Sequence, residues 1–153
     1  MMSIKHQWCN QLTFPDAAKL DEELTKFFLA LRDATVVDVG NGMQQLSLGP
    51  GSHFPDDKRR RSDLMVRDFY LRLFQRVEAE PNGASLLTGV PGTGKSWWIW
   101  YAMHLLLTRS PAPTIVWQSF KRGEDGCVMF KDGKAFSGRL SAFTEDLGMS
   151  STW

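Results

Sequence analysis

The chain has 153 residues, the length of one ordinary domain, and its 42% hydrophobic and 23% charged residues are typical of a soluble globular protein. The formal net charge of +1 excludes a strong overall attraction to nucleic acid or to an anionic membrane. The first residues lack the apolar stretch of a secretory signal, and the longest apolar run, Trp97–Met103, is far shorter than the roughly 20 residues that cross a bilayer. The two cysteines, Cys9 and Cys127, are expected to be free thiols, so we expect an intracellular protein without a membrane segment.

Residues 1–60 are predicted to form an N-terminal segment of mixed α and β structure. Apolar residues at helical spacing predict a helix over residues 15–33. Two short apolar runs, residues 36–39 and 43–48, flank a Gly-Asn-Gly turn and predict two strands. Residues 49–57 have the composition of a loop.

The second predicted region comprises residues 61–153. Its first element is a helix from Ser62 to Glu78, and an apolar strand over residues 84–89 follows. A helix that ends near Thr108 and a strand over residues 114–120 complete one βαβ unit.

A hairpin over residues 127–137 and a tail that begins as a short helix are predicted after this unit. The predicted fold class is therefore α/β, a partial P-loop NTPase in which helices flank a parallel sheet, preceded by an α+β segment.

The clearest chemical signal is the stretch GVPGTGKS, which matches the phosphate-binding pattern G-x-x-x-x-G-K-[ST] between a predicted strand and a predicted helix. Its glycines allow positive φ and a close approach to phosphate oxygens. The turned backbone directs successive N–H groups into one concavity, and the following helix adds the positive end of its dipole. The predicted nucleotide-binding residues are Gly89, Val90, Pro91, Gly92, Thr93, Gly94, Lys95 and Ser96.

Two side chains of this motif have separate predicted roles. Lys95 is expected to reach the β- and γ-phosphates, and the Ser96 hydroxyl is expected to ligate Mg²⁺. The expected cofactors are ATP or GTP with Mg²⁺, since no base-reading motif is visible. The other interpretation is a glycine-rich surface turn in front of a helix.

The helix that follows the motif is apolar on every side, and His104 is its one clearly polar residue beyond Ser96. Such a helix is predicted to be buried on all sides. Trp97 or Trp98 could stack on a nucleotide base, but core packing is the favoured interpretation. His104 is expected to be a satisfied helix histidine rather than a ligand. An aromatic surface or sheet edge left uncovered would offer a site for a protein partner or for self-association.

Hydrolysis also needs an acidic residue, the Walker B acid, at the end of another strand to organise Mg²⁺ and water. None of the acidic residues after the motif directly follows an apolar strand, so the catalytic residues stay unassigned. These acidic residues are Glu124, Asp125, Asp132, Glu145 and Asp146. We therefore expect that the sequence is the front part of a larger NTPase domain and stops before the Walker B strand.

Residues 84–120 resemble the P-loop ATPase region of Crinkler-type effectors and of the related retrotransposon hot spot proteins. The resemblance rests on the aromatic-rich helix after GVPGTGKS and on the strand TIVWQSF. VRDFYLRLF, residues 66–74, and VMFKDGKAF, residues 128–136, extend it over about residues 60–153.

The resemblance implies ATP as the nucleotide and a function within an effector that acts in a host cell, often in its nucleus. It also implies a C-terminal toxin domain after the ATPase region. Of the family's functional residues, only those of the phosphate-binding motif have counterparts in this sequence, because the Walker B strand would follow the present tail. The family's N-terminal translocation motif is missing as well.

The basic run Lys58-Arg59-Arg60-Arg61 has two interpretations. It could be a nuclear localisation signal or a set of phosphate contacts, or it could be a solvated linker before a helix. Flanking acidic residues favour the linker, and nothing beyond this run indicates nucleic-acid binding. Two functions remain open for the chain, nucleotide binding within an NTPase and a catalytically inactive interaction module.

Overall fold

Four helices and two antiparallel sheets make up the described part of the chain, which is an α+β arrangement. The computed structural model describes residues 18–55, 57–80, 87–118, 126–148 and 152. In chain order the elements are β1 (Lys19–Leu20), α1 (Glu22–Arg32), β2 (Thr35–Gly40), β3 (Met43–Ser47), β4 (Asp63–Val66), α2 (Tyr70–Glu78), α3 (Lys95–Leu107), β5 (Ile115–Gln118), β6 (Cys127–Lys131), β7 (Lys134–Gly138) and α4 (Thr144–Leu147). A 3₁₀ turn, Leu140–Phe143, precedes α4.

The larger sheet has four strands in the order β1-β7-β6-β5, and each neighbouring pair is antiparallel. β6 and β7 form a tight hairpin around Asp132 and Gly133, whose φ values are 51° and 76°. Phe130 of β6 stacks on Phe28 of α1 with 5.0 Å between ring centroids, so this sheet packs against α1.

Helix α1 begins at an aspartate that joins it to the larger sheet. Asp21 Oδ1 accepts a hydrogen bond from the Leu24 backbone N–H at 2.9 Å, which satisfies one of the free donors of the first turn. The second oxygen of Asp21 accepts from the Ser137 hydroxyl at 2.8 Å. The same side chain therefore starts the helix and fixes its position against β7.

The smaller sheet consists of β2, β3 and β4 in that order. Leu46 lies opposite Leu64 across β3 and β4, and both side chains are buried. On the other face, Val37 lies opposite Gln45 and Gln45 opposite Met65, and Val37 and Met65 remain exposed. This alternation is the pattern of an antiparallel sheet that covers the core with one face.

Helix α3 is the centre of the hydrophobic core. Trp100 contacts Phe27 of α1 and Trp117 of β5, with ring centroids 5.2 Å and 4.8 Å away. The buried His104 places Nδ1 2.8 Å from the carbonyl oxygen of Leu31 near the end of α1. The interpretation of His104 as a satisfied helix histidine is confirmed.

The predicted α/β fold with a parallel sheet is wrong. β5 pairs with β6 in an antiparallel manner, because residues 119–126 are too few for the crossover of a dozen or more residues that parallel neighbours need. Residues 87–89 are not in a strand, and the first part of the predicted strand before the motif lies outside the described residues. The parallel pairing within the described residues is an isolated bridge between Thr114 and Thr152.

The predicted helix from Ser62 to Glu78 is wrong in its first half, where β4 stands instead. Leu64 is buried, Met65 is exposed and Val66 is partly buried, which is the two-residue period of a strand. This segment pairs with β3, although its apolar residues continue the helical spacing of the residues that follow.

Most of the other predicted elements are confirmed with shifted ends. The strands around the Gly-Asn-Gly turn, the hairpin β6–β7, the helix after the motif and the short helical tail are all present. The first helix is shorter than predicted, since α1 begins at Glu22 and the part of the prediction before residue 18 lies outside the described residues. The boundary at residue 60 stays a prediction, although the smaller sheet has strands on both sides of it.

Truncating Leu31 in α1 tests the core. Leu31 has no exposed surface, so Leu31→Ala is expected to lower the free energy of unfolding by about 2–5 kcal/mol. Leu71→Ala in α2 removes the same atoms from a side chain that is 47% exposed and is expected to cost less than about 1 kcal/mol. Urea unfolding followed by tryptophan fluorescence measures both, and equal losses would contradict this core.

Candidate functional site: the exposed loop before helix α3

The motif forms an exposed loop that ends at the first residue of α3. Residues 87–93 are all exposed, and Val90 has 71% of its surface accessible. Gly92 and Gly94 have φ values of 84° and 89°, a region that other residues avoid. The predicted need for glycine at these two positions is confirmed. The loop therefore presents its backbone to solvent, as contact with a ligand requires.

Lys95 folds back over this loop. Its Nζ donates to the carbonyl oxygens of Gly89 and Val90 at 2.8 Å and 2.7 Å. It also lies 3.4 Å from the Thr93 hydroxyl, which itself donates to Val90 O at 2.9 Å. An ammonium group is thus held at the mouth of the loop, where it adds a full positive charge to the partial charge of the helix end.

The first turn of α3 leaves backbone donors free. The N–H groups of Trp97 and Trp98 both donate to the Gly94 carbonyl, at 3.0 Å and 2.9 Å. The N–H groups of Gly94, Lys95 and Ser96 have no acceptor among the described residues. Together with the positive φ of Gly94, this arrangement is an anion-binding concavity at a helix N-terminus.

Tyr70 at the start of α2 connects the loop to the rest of the fold. Its hydroxyl donates to Gly94 O at 2.7 Å, and its own carbonyl accepts from Trp98 Nε1 at 3.1 Å. Sequence reasoning missed this residue, because a tyrosine between Phe69 and Leu71 reads as one more apolar residue of a helix. Burial in the protein interior raises the pKa of Tyr70, so its hydroxyl stays a protonated donor at neutral pH.

The tryptophans of α3 are mostly engaged by the protein itself. The indole N–H of Trp98 is bonded to Tyr70, and Trp100 is buried. The ring of Trp97 meets Phe54 edge to face at 5.2 Å, and the Arg61 guanidinium lies 4.5 Å from its centroid. These contacts favour core packing over base stacking for Trp97 and Trp98.

The basic run lies beside the first turn of α3. The Arg61 guanidinium donates to both Asp57 oxygens, from Nε at 2.9 Å and from Nη2 at 3.0 Å, in addition to its stacking on Trp97. Lys58, Arg59 and Arg60 are exposed. The Arg61 charge is therefore compensated by Asp57, and the run forms a tight turn rather than a plain linker. Nucleic-acid binding by this run stays an untested interpretation.

The acidic residues after the motif do not supply an evident Walker B acid in the described part of the chain. Asp132 lies in the β6–β7 turn, and Asp146 in α4 pairs with Lys131 at 2.7 Å. Glu124 and Asp125 lie outside the described residues. Among the described residues, no group of three or more His, Cys, Asp or Glu side chains is placed to hold a metal ion. Ser96 is exposed, and its hydroxyl is an oxygen ligand of the kind that Mg²⁺ accepts alongside phosphate and water.

A cavity in the described residues lies away from the loop. It has a volume of about 150 Å³ and lies between the smaller sheet and α2, where Gln44, Arg67, Leu71 and Tyr101 contribute to its lining. Typical small-molecule pockets measure about 300–1,000 Å³. Because residues 87–93 are exposed, a nucleotide bound at the loop would lie on an open surface.

Comparisons with known protein families, with curated proteins and with solved structures give no match. Within the described ranges, no helix has both the length and the apolar composition needed to cross a membrane. The resemblance to Crinkler-type proteins thus rests on the sequence motifs alone.

The Asp57–Arg61 pair makes the stability of the fold depend on pH. Hydrogen bonds from Arg61 hold the pKa of Asp57 well below its ordinary value, so the pair stabilises the fold above the usual carboxyl pKa of about 4 and loses this effect as the pH falls. Asp57→Asn is therefore expected to lower the melting temperature at pH 7, and the difference from wild type should shrink towards pH 3.

Asp132→Asn is the control, since Asp132 is an exposed aspartate that forms no arginine pair among the described residues. Melting curves at several pH values measure both variants. A difference between Asp57→Asn and wild type that is independent of pH would contradict the role given to the ion pair.

Proposed function

We propose that residues 89–96 bind the phosphate groups of a nucleotide together with Mg²⁺. The observation that carries the proposal is the set of backbone N–H groups at Gly94, Lys95 and Ser96 that have no acceptor among the described residues, at the end of a helix and beside the Lys95 ammonium. An anion with several negative charges is favoured by three features of this loop: its backbone N–H groups, the positive end of the helix dipole and the full charge of Lys95. A di- or triphosphate satisfies more of these donors than a single small anion.

Lys95 and Ser96 have complementary roles in this proposal. The Lys95 ammonium has three donors, so it can keep contact with the loop carbonyls while it turns a proton towards a phosphate oxygen. Mg²⁺ would be held by the Ser96 hydroxyl, by phosphate oxygens and by water, and would neutralise part of the phosphate charge. The other six motif residues, Gly89 to Gly94, contribute through their backbone shape.

ATP is the proposed nucleotide, and GTP remains the other possibility. The choice of ATP follows from the resemblance of GVPGTGKS, the aromatic helix and TIVWQSF to Crinkler-type ATPase regions. Since Arg61 stacks on Trp97 and the indole N–H of Trp98 is bonded to Tyr70, core contacts are favoured over base stacking for both rings. We therefore expect that the phosphates provide most of the affinity and that discrimination between ATP and GTP is weak.

Replacing Lys95 tests nucleotide binding. Lys95→Ala removes a charge-assisted contact and is expected to weaken MgATP binding at least about tenfold. Lys134→Ala, which removes an exposed lysine from β7, is the matched control and should leave the affinity unchanged. Isothermal titration calorimetry measures both, and an unchanged affinity in Lys95→Ala would show that the motif is not the binding site.

A catalytically inactive interaction module is the second candidate function. Each residue of the edge strand β2 is exposed, including Val36, Val37 and Val39, and the strand carries one charged side chain, Asp38. An uncovered apolar edge strand of this kind favours pairing with another chain. In this alternative the phosphate-binding loop is a structural remnant.

Steady-state phosphate release separates catalysis from binding alone. Mg²⁺ held by Ser96 without an acidic anchor, and without an assigned arginine finger, is expected to leave ATP hydrolysis near background, because an arginine finger by itself is worth about 10³–10⁵ in rate. Turnover near 1 s⁻¹ that Lys95→Ala abolishes would contradict both this expectation and the inactive alternative. Glu124 and Asp125 would then be the first residues to replace.

A further inference from the structure

Tyr70 is a residue outside the motif whose hydroxyl reaches the motif's backbone. Its side chain is 1% exposed, and its hydroxyl donates to the Gly94 carbonyl at 2.7 Å across 24 residues of sequence. A Cβ atom added to Gly94 would lie 2.6 Å from the same hydroxyl. The contact is therefore close enough to fix both the identity and the position of residue 94.

The peptide unit that Tyr70 holds is part of the proposed phosphate site. The Gly94 carbonyl and the Lys95 N–H belong to one planar trans peptide, so they point in opposite directions. The carbonyl accepts from Tyr70, Trp97 and Trp98 at 2.7 Å, 3.0 Å and 2.9 Å. Three donors on one side of the peptide leave the Lys95 N–H pointing away from α3, where it has no acceptor among the described residues.

Two physical effects follow from this contact. First, the orientation of the Lys95 N–H is fixed before a ligand arrives, so binding costs less conformational freedom. Second, hydrogen bonds to a carbonyl polarise the same peptide and strengthen its N–H as a donor. Both effects act on phosphate binding without any contact between Tyr70 and the phosphate.

We propose that Tyr70 is a positioning residue of the nucleotide site, which holds the Gly94–Lys95 peptide in the orientation that binds a phosphate oxygen. The inference rests on the proposed nucleotide binding by residues 89–96. A second bond, from Trp98 Nε1 to the backbone carbonyl oxygen of Tyr70 at 3.1 Å, ties the start of α2 to the start of α3. It fixes the backbone that carries the tyrosine side chain, while the hydroxyl bond to Gly94 fixes the other end of that side chain.

A matched pair of substitutions tests the proposal. Tyr70→Phe removes one hydroxyl and keeps the ring, and it is expected to weaken MgATP binding about 3- to 10-fold, the usual value of one such hydrogen bond. Tyr101→Phe makes the same change in a tyrosine that is 6% exposed, whose ring lies 5.7 Å from that of Tyr70 and whose hydroxyl bonds to no described residue. Its affinity for MgATP should stay within about twofold of wild type.

A spectroscopic signature separates positioning from general stability. In ¹H–¹⁵N correlation spectra with MgATP bound, the Lys95 amide proton should move upfield in Tyr70→Phe, because the peptide is less polarised. Tyr101→Phe should leave this resonance in place, whatever either variant does to the melting temperature. An unchanged Lys95 resonance in Tyr70→Phe would overturn the proposal.

Gly94→Ala provides a second and independent test of the contact between residue 94 and Tyr70. Its added methyl group clashes with the Tyr70 hydroxyl, so the loss of affinity that it causes should be smaller in the Tyr70→Phe background than in wild type. Equal losses in the two backgrounds would contradict the coupling.

Nucleotide binding by residues 89–96 and positioning by Tyr70 are contradicted by different results. If wild type does not bind MgATP, the proposed function falls and the inference falls with it. If wild type binds, Lys95→Ala does not, and Tyr70→Phe binds like wild type, the function stands and the inference is wrong. Equal weakening in Tyr70→Phe and Tyr101→Phe would point to packing alone and would also overturn it.

Discussion

The burial of α3 is the constraint on which the rest of the structure depends. This helix is apolar on nearly every side, so it has no face that tolerates water, and other elements must surround it. α1 packs on it through Phe27, α2 through Tyr70 and the larger sheet through Trp117. The smaller sheet completes this cover with one buried face and leaves its other face exposed, as antiparallel sheets commonly do.

A helix buried along its length can expose polar backbone only at its ends. The N-terminal end of α3 is exposed in this way, and its successive N–H groups at residues 94–96 have no partner in the part of the chain that the structure describes. Tyr70 contributes to both the core and the loop, since its ring belongs to the core and its hydroxyl fixes the Gly94 carbonyl. The stability of the core and the shape of the proposed site are thus joined at one side chain.

The turns and most helices of this protein could be predicted from the sequence, whereas the pairing of its strands could not. Glycine spacing correctly predicts the positive φ at Gly92 and Gly94, and a continuous apolar run predicts α3. The parallel sheet was wrong because it was inferred from the usual context of the motif, while strand direction depends on the lengths of connections such as residues 119–126. β4 was missed because Leu64 and Met65 continue the helical spacing of Phe69, Leu73 and Val77, and the strand has only four residues in which to show its two-residue period.

Long-range contacts at the site lay beyond sequence reasoning for the same reason. Nothing in the order of residues shows that the Tyr70 hydroxyl reaches Gly94, or that Arg61 stacks on Trp97. The sequence leaves the basic run open as a linker, a nuclear localisation signal or a set of phosphate contacts. Its position beside α3 depends on the turn that Asp57 stabilises. Contacts of this kind follow from tertiary packing, which local patterns do not encode.

The central claim is that the backbone between Gly92 and Ser96 binds phosphate, and an NMR titration with MgATP tests it most directly. In ¹H–¹⁵N correlation spectra of the assigned chain, the amides of these five residues should show the largest shifts, because a phosphate oxygen acts on the N–H groups themselves. Amides in the distant β6–β7 hairpin should stay in place. No shift at saturating MgATP, or shifts confined to the basic run at residues 58–61, would contradict the account.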